Sequence, residues 1–242
     1  MPTSTVEDYL KHLYILQQRA RTGRRVPLGK LAEAIGVTPG TATSMIKTLA
    51  TSGLVRYTPR GGARLTAAGE SLALMVLRRH RLVELLLVKV LGLDWSEVHV
   101  EAERLEHAVS DKVLEKIDAM LGHPSVDPHG DPIPSLDGEL SGRTLTNLTD
   151  CQLNRVVRIA RVADQNPLFL QFAEHHGLTP GIDLVVESRD PAADAVTIRI
   201  ASSEPTAAIT LGSIAAAKFL VEVTRTSNSR EEGVATANLV GG

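Results

Sequence analysis

The sequence is poor in cysteine, in aromatic residues and in long apolar runs, and each shortage closes off a class of protein. A single cysteine, Cys151, excludes an intramolecular disulfide and a zinc site built from several thiolates. Alone, it reads as a small buried hydrophobe. With aromatic side chains at 3% of the chain, the packing has to come mainly from Leu, Val, Ile and Ala, within a hydrophobic content of 43%. The apolar stretch from Leu82 to Leu93 is interrupted by Glu84 and Lys89, so no membrane partner is expected. The opening MPTSTVEDYL lacks the basic and apolar regions of a signal peptide, and a cytoplasmic location is the expectation. Nucleophile-elbow, P-loop and HExxH signatures are missing too, which argues against an enzyme with a small organic substrate.

What is present is an uneven charge. Residues 1–92 carry 14 Lys/Arg against 5 Asp/Glu, a balance of +9, whereas residues 93–242 carry 12 against 23, a balance of −11. The net charge of −2 hides this split. A basic front half is suited to a polyanion, with double-stranded DNA the leading partner. A length of 242 residues predicts two or three compact units.

Ser4-Thr5-Val6-Glu7 has the spacing of a capping box, and Val6, Tyr9, Leu10, Leu13 and Leu16 recur at helical intervals, predicting a helix over about 5–20. After the basic turn Arg21 to Arg25, short helices follow over Leu28 to Ile35, stopped by Gly36, and Thr38 to Thr51. Strand-like Leu54 to Tyr57 and Ala63 to Thr66 flank Thr58-Pro59-Arg60-Gly61-Gly62, whose glycines suit a hairpin loop. Helical periodicity resumes from Ala67 to about Gly92, then over Trp95 to Ser110 and Asp111 to Leu121. Four prolines with glycines between His123 and Gly138 read as a linker. Beyond it, Val156 to Val162, Asp183 to Glu187 and Ala195 to Ile200 read as strands, with a helix near Pro167 to His176, and a small β-barrel is the natural closure. The fold class is therefore mainly α with α+β character. The domains expected are a winged helix-turn-helix at 1–72, a helical domain with the Pro/Gly linker at 73–140, the barrel at 141–224 and a disordered tail at 225–242.

A helix-turn-helix needs apolar bracing and short polar reading residues at fixed spacing. Leu31, Ala32, Ile35, Val37, Met45, Ile46 and Leu49 supply the bracing, while Thr38, Gly40, Thr41, Thr43, Ser44 and Lys47 fall on or near the exposed face. Arg56, Arg60 and Arg64 on the hairpin can reach the phosphate backbone. The order of three helices and a basic hairpin separates this arrangement from an ordinary helical hairpin with solvated charges.

On the helix after Trp95, His99, Glu103, Glu106 and His107 share one face beside the apolar stripe Val98, Ala102, Leu105 and Val109. On the preceding helix, His80 and Glu84 interrupt the apolar series Leu77, Leu87 and Leu91, which is costly unless a cation or hydrogen bonds compensate. Two helices thus offer convergent oxygen and nitrogen ligands. Asp8 taken alone can simply complement the dipole of the first helix, and His175-His176 reads as a solvated helix end.

The motifs Val6-Glu7-Asp8-Tyr9-Leu10, Leu31 to Leu54, Arg79-His80-Arg81-Leu82-Val83-Glu84, Glu103-Arg104-Leu105-Glu106-His107 and Pro128-His129-Gly130-Asp131-Pro132-Ile133-Pro134 resemble those of the DtxR/MntR family of metalloregulators. The resemblance runs through residues 5–134 and more weakly beyond. It implies a primary metal site from Asp8, Glu103, Glu106 and His107, with His80 joining it or a neighbouring ancillary site, and Glu84 and His99 at ancillary positions. Asp127, His129 and Asp164 are further ligands that an added SH3-like domain brings into play. Two departures stand out: Asp127 replaces a cysteine frequent in the family, and Lys11 replaces a glutamate common in manganese-type members. Iron-responsive relatives carry Met and Cys where this chain has Asp8 and Glu103, so carboxylates in place of sulfur favour Mn²⁺. Fe²⁺ is the second choice, with Zn²⁺ or Cd²⁺ as substitutes in vitro. The resulting expectation is a homodimer that binds palindromic operators of metal-homeostasis genes when the ion links Asp8 to the Glu103/Glu106/His107 helix. Its rivals are a metallohydrolase using the same cluster and a constitutive DNA-binding protein whose carboxylates only form ion pairs.

Overall fold

The structure, a computed structural model, describes residues 3–20, 25–202 and 207–224. The tail expected to be disordered and most of the basic turn lie outside the described residues.

The front unit is α1 (Ser4–Arg19), α2 (Leu28–Ile35), α3 (Pro39–Thr51), β1 (Val55–Thr58) and β2 (Gly62–Leu65). Leucines and tyrosines of α1 (Tyr9, Leu10, Leu13, Tyr14) meet Leu31, Ile46 and Leu49 in one buried cluster. Gly36 leaves α2 in the left-handed region at φ 75°, and the Thr38 hydroxyl accepts the Thr41 N–H to start α3, so the two short helices turn tightly. β1 and β2 pair antiparallel with Arg56 opposite Arg64 and Thr58 opposite Gly62. Positive φ in the hairpin falls on Arg60 and Gly62, so one of the two glycines expected there serves and Arg60 takes the other position. The capping box does not form. Thr3 stands at the N-cap without a side-chain bond, and the Glu7 carboxylate is drawn instead to His107 and Arg79.

The long α4 (Ala67–Lys89) carries the front unit into the middle one, where α5 (Val98–Leu105) and α6 (Asp111–Met120) pack on it. α5 is shorter than its periodicity predicts. Asp94 captures the Ser96 N–H and delays the start, and bonds from the Ala108 and Val109 N–H groups to Leu105 O close the end, leaving Glu106 and His107 just past the helix. Leu91 and Leu105 are correspondingly exposed rather than core.

The rear unit has β3 (Thr146–Asn147), β4 (Val156–Val162), α7 (Pro167–His175), β5 (Asp183–Asp190), β6 (Ala195–Ile200), β7 (Ile209–Gly212), α8 (Ser213–Ala216) and β8 (Phe219–Val223). Its six strands form one antiparallel ladder, β3-β8-β4-β5-β6-β7. Trp95, from the loop before α5, is buried in that sheet's core beside Leu170 and Phe219. No helix among the described residues is long and apolar enough to cross a membrane.

The stretch read as a linker is a packed strap. Asp127, His129 and Asp131 are buried in it. His129 O accepts the Val162 N–H at 2.8 Å, and Arg78 donates to Pro134 O at 2.7 Å. Gly130 runs so close to β4, at φ 86°, that a Cβ there would lie 2.0 Å from Ala160 O. Proline and glycine here set a shape instead of granting freedom.

Candidate metal centre

Between α1, α4, α5 and the strap lie three groups of side chains whose ligand atoms come within 4.8 Å of one another: Asp8, Glu106 and His107; His80, His99 and Glu103; Glu84, Asp127 and His129. Nine of the ten sequence-predicted ligands are thereby brought into groups, and Asp164 is not. Asp164 pairs with Lys218 at 2.6 Å and accepts the Asn166 N–H at 2.9 Å, so its carboxylate is already engaged in the rear unit.

The first group joins α1 to the end of α5. His107 Nε2 stands 2.9 Å from Asp8 Oδ1 and 3.4 Å from Glu106 Oε1. Its Nδ1 bonds Glu7 Oε2 at 2.8 Å, and Glu7 in turn meets Arg79 at 3.5 Å. A carboxylate on Nδ1 turns Nε2 toward the ligand position, an orienting role that reading Glu7 as a helix cap had concealed. The signal for it is the adjacency of Glu7 and Asp8, which presents two carboxylates to the two nitrogens of one imidazole. Burial pulls the His107 pKa down, but bonding to Glu7 and the charges of Glu106 and Asp8 hold it above its ordinary value.

The second group centres on His80, buried on α4. Its Nδ1 bonds Glu106 Oε2 at 2.6 Å, and its Nε2 lies 2.9 Å from Glu84 Oε1 and 3.1 Å from His99 Nδ1. Burial opposes the charged imidazolium, yet the Glu84 charge and the bonds to Glu106 and Glu84 lift its pKa to about 9. The reciprocal effect holds Glu84 well below the ordinary carboxylate range, against the pull of its burial. Glu103 and Glu106 both receive the Lys11 ammonium, at 2.7 Å and 2.6 Å. Burial raises the Glu103 pKa, but Lys11 and the nearby imidazoles outweigh it and keep it low.

The third group differs in kind. Glu84 Oε2, Asp127 Oδ2 and His129 Nδ1 are all buried and lack any hydrogen-bond partner. Asp127 Oδ1 is taken by the N–H groups of His129 and Asp131, each at 2.9 Å, which leaves Oδ2 without a hydrogen bond and with only an ion pair to Arg81 Nε at 3.6 Å. His129 Nε2 donates to Trp95 O at 2.9 Å; because a carbonyl only accepts, Nε2 carries a proton and Nδ1 is the nitrogen that can offer a lone pair. The ring is held flat by Trp95, stacked with centroids 5.4 Å apart. Burial first, then the charges of Asp131 and Glu84, push the Asp127 carboxyl well above its ordinary value, with Arg81 opposing. Unpartnered buried acceptors each cost about 1–3 kcal/mol. Two carboxylate oxygens and one imidazole nitrogen are also the donor set of a divalent cation, so the residues present fit a metal.

In the front unit, Thr38, Gly40, Thr41, Ser44 and Lys47 are exposed along the start of α3, as are Arg56, Arg60 and Arg64 on the hairpin. Thr43 is half-buried, its hydroxyl donating to Pro39 O at 2.7 Å. None of Lys47, Arg56, Arg60 and Arg64 has an ion pair among the described residues, although Arg56 and Arg64 are directly opposed across the strands. Like charges so placed repel, and an anion between them relieves that repulsion. His175 is exposed at the end of α7, as expected of a solvated helix end, whereas His176 is half-buried with Nδ1 bonded to Phe172 O at 2.9 Å; Cys151 is buried.

Comparison with known proteins agrees with this layout. A family model described as "Iron dependent repressor, N-terminal DNA binding domain" matches residues 1–63, "Iron dependent repressor, metal binding and dimerisation domain" matches 66–135, and the FeoA domain matches 146–223. The iron-dependent repressor IdeR of Mycobacterium tuberculosis (strain ATCC 25618 / H37Rv) is 33% identical over 186 residues, 77% of this chain and 78% of that one. A solved manganese-dependent transcriptional repressor in complex with manganese is 39% identical with a TM-score of 0.80, covering 90% of this chain and all (100%) of that one. ScaR with bound Zn²⁺ is 31% identical with a TM-score of 0.71, covering 92% and 100%.

Proposed function

The chain belongs to the iron-dependent repressor family, whose members join a DNA-binding domain to a metal-binding and dimerisation domain, and we propose that within it this protein is a Mn²⁺-responsive repressor. Two observations about ligand atoms support the metal. The three groups offer only carboxylate and imidazole donors, and the single thiol, Cys151, is buried away from them in the core of the sheet. Such hard donors suit Mn²⁺ better than a sulfur-containing set would. The observation that carries the reading is the trio of buried atoms without a hydrogen bond on Glu84, Asp127 and His129.

Asp8, Glu106 and His107 hold one ion and Glu84, Asp127 and His129 another; the ions supply positive charge that lets the acidic elements stay together. Asp8 belongs to the same helix as the buried core of the DNA-binding unit, so fixing it against His107 sets the orientation of α3 relative to α4. Two copies paired through residues 66–135 then present two recognition helices to a palindromic duplex. Thr38, Gly40, Thr41, Thr43, Ser44 and Lys47 face the bases, and Arg56, Arg60 and Arg64 face phosphates. Reciprocity requires operator DNA to tighten metal binding as much as metal tightens DNA binding.

The test is operator binding at controlled free Mn²⁺, Fe²⁺ and Zn²⁺ and with chelator. Binding is expected to appear at the lowest free concentration relative to cellular supply with Mn²⁺ and to vanish with chelator. Chelator-insensitive binding would overturn the metal-responsive reading, and a response to Fe²⁺ alone would replace the manganese assignment with an iron one, as the name of the mycobacterial relative suggests.

A further inference from the structure

Lys11 is the amine set among these acidic groups, and its burial needs an explanation that DNA binding does not give. The side chain is 2% exposed, one turn after Glu7 and Asp8, on a helix whose Tyr9, Leu10, Leu13 and Tyr14 are in the core. A leucine or methionine would pack on such a face without stripping an ammonium of water. Instead Nζ lies 2.7 Å from Glu103 Oε1 and 2.6 Å from Glu106 Oε1.

Those two oxygens belong to different groups. Glu106 closes the Asp8/Glu106/His107 group, and Glu103 closes the His80/His99/Glu103 group. Glu103 Oε1 is also the atom that approaches His80 Nδ1 at 3.9 Å and His99 Nε2 at 3.5 Å, so the ammonium and a metal ion at His80/His99 would compete for the same oxygen. Two cations sharing one carboxylate oxygen repel strongly, and Glu103 is the sole carboxylate of its half-buried group, whereas the Asp8 group keeps the Asp8 charge although Lys11 also holds Glu106 Oε1.

We propose that Lys11 is a resident cation that takes the place of one divalent ion. Its ammonium occupies Glu103, closes the His80/His99/Glu103 group to metal, and confines exchangeable ions to the other groups. It also ties α1 to α5 when metal is absent, since the two carboxylates come from the α5 end and the amine from α1. The inference rests on the proposed metal binding by the Asp8 and Glu84 groups, and the measurement below separates failure of the one from failure of the other.

The experiment is equilibrium dialysis of the full chain against a series of fixed free Mn²⁺ concentrations, with bound metal per chain counted by atomic emission. The variants are Lys11→Arg, Lys11→Met, Lys11→Gln and Lys11→Met combined with His99→Ala. Lys11→Arg keeps the cation and is expected to bind as many ions as the parent. Lys11→Met and Lys11→Gln are expected to bind one more ion per chain, and the His99→Ala combination to lose that added ion. Parent-level stoichiometry in both neutral variants overturns the proposal, as does an added ion that survives His99→Ala. A neutral variant that is soluble only with Mn²⁺ and carries the added ion supports it; one that stays insoluble at every Mn²⁺ concentration shows that metal does not replace the ammonium and overturns it. A parent that binds no Mn²⁺ sinks the metal-responsive reading itself.

Discussion

Replacing Asp127 by asparagine sets the stability of the metal-free chain against its ability to sense metal. The amide is nearly isosteric, and its Oδ1 can keep both backbone bonds, from His129 and Asp131, while the carboxylate oxygen without a hydrogen bond becomes an NH2 that can donate to the neighbouring Glu84 Oε2 or His129 Nδ1. Burial and the charges of Asp131 and Glu84 raise the Asp127 pKa above 3.8. A raised carboxyl contributes stability that is present below its unfolded pKa and is lost as pH rises through the folded one. In the metal-free parent this carboxyl therefore costs stability at neutral pH relative to acid, a cost that an amide does not carry. Exchanging an acceptor without a hydrogen bond for a donor beside two such acceptors recovers about 1–3 kcal/mol. Arg81 Nε, 3.6 Å from Asp127, loses an attraction, but Asp131 remains 3.3 Å from the same guanidinium. With about 2–4 °C per kcal/mol for a chain of this size, the metal-free midpoint of Asp127→Asn should rise by on the order of 5 °C. Mn²⁺ at a hundred times its Kd adds about 2.7 kcal/mol to the parent, and the variant should forgo this stabilisation at the site. Trp95 is the single tryptophan and stacks on His129, so its emission reports this group separately from the Asp8 group. Paired melts and Trp95 titrations of parent and variant decide the matter. A variant less stable than the parent without metal, or one with an unchanged Trp95 response, refutes the reasoning.

Two further outcomes follow from the same geometry. His80, lifted from 6.5 to about 9, contributes stability that is complete below pH 6.5 and lost as pH rises through 9, a loss of about 3 kcal/mol; metal-free unfolding followed between those pH values should show this slope in the parent and a flatter one in His80→Gln. Gly130→Ala places a methyl against Ala160 O and disfavours the φ of 86°, so it should lift the strap from β4 and weaken Mn²⁺ binding at Glu84/Asp127/His129 by on the order of tenfold or more, read by Trp95 titration; wild-type affinity would show that the strap does not position Asp127 and His129.

Helices with a one-sided apolar pattern were legible from the sequence because the 3.6-residue period survives in any context: α2 and α3 begin and end within a residue of their expected bounds. β4 and β6 were equally clear from their alternation. β8 was not, although it lies between β3 and β4, because its short run abuts a polar tail and only its partners distinguish it from a loop. Most candidate ligands could be listed from helical spacing, but their division into groups could not, since it depends on the strap folding back over α4. The strap differs from the linker that its sequence suggests for a definable reason. Proline and glycine mark an absence of regular hydrogen bonding, which an exposed linker and a tightly fitted segment share, and burial of Asp127 and His129 is a tertiary fact. Glu7 was assigned to its own helix because local capping is visible in sequence, whereas a partner a hundred residues away (|i−j| of 100) is not.

The facing arginines of the hairpin have a consequence for how the protein searches. Arg56 and Arg64 push apart the very strands that hold them. The wing is thus least secure when free in solution and gains firmness when an anion settles between the two guanidinium groups. On the proposed reading that anion is a backbone phosphate, and a loose wing tightens on contact. Dissolved salt, by shielding the same repulsion, firms the free wing while weakening its grip on the duplex, so the order of the hairpin and the strength of binding move in opposite directions as ionic strength rises.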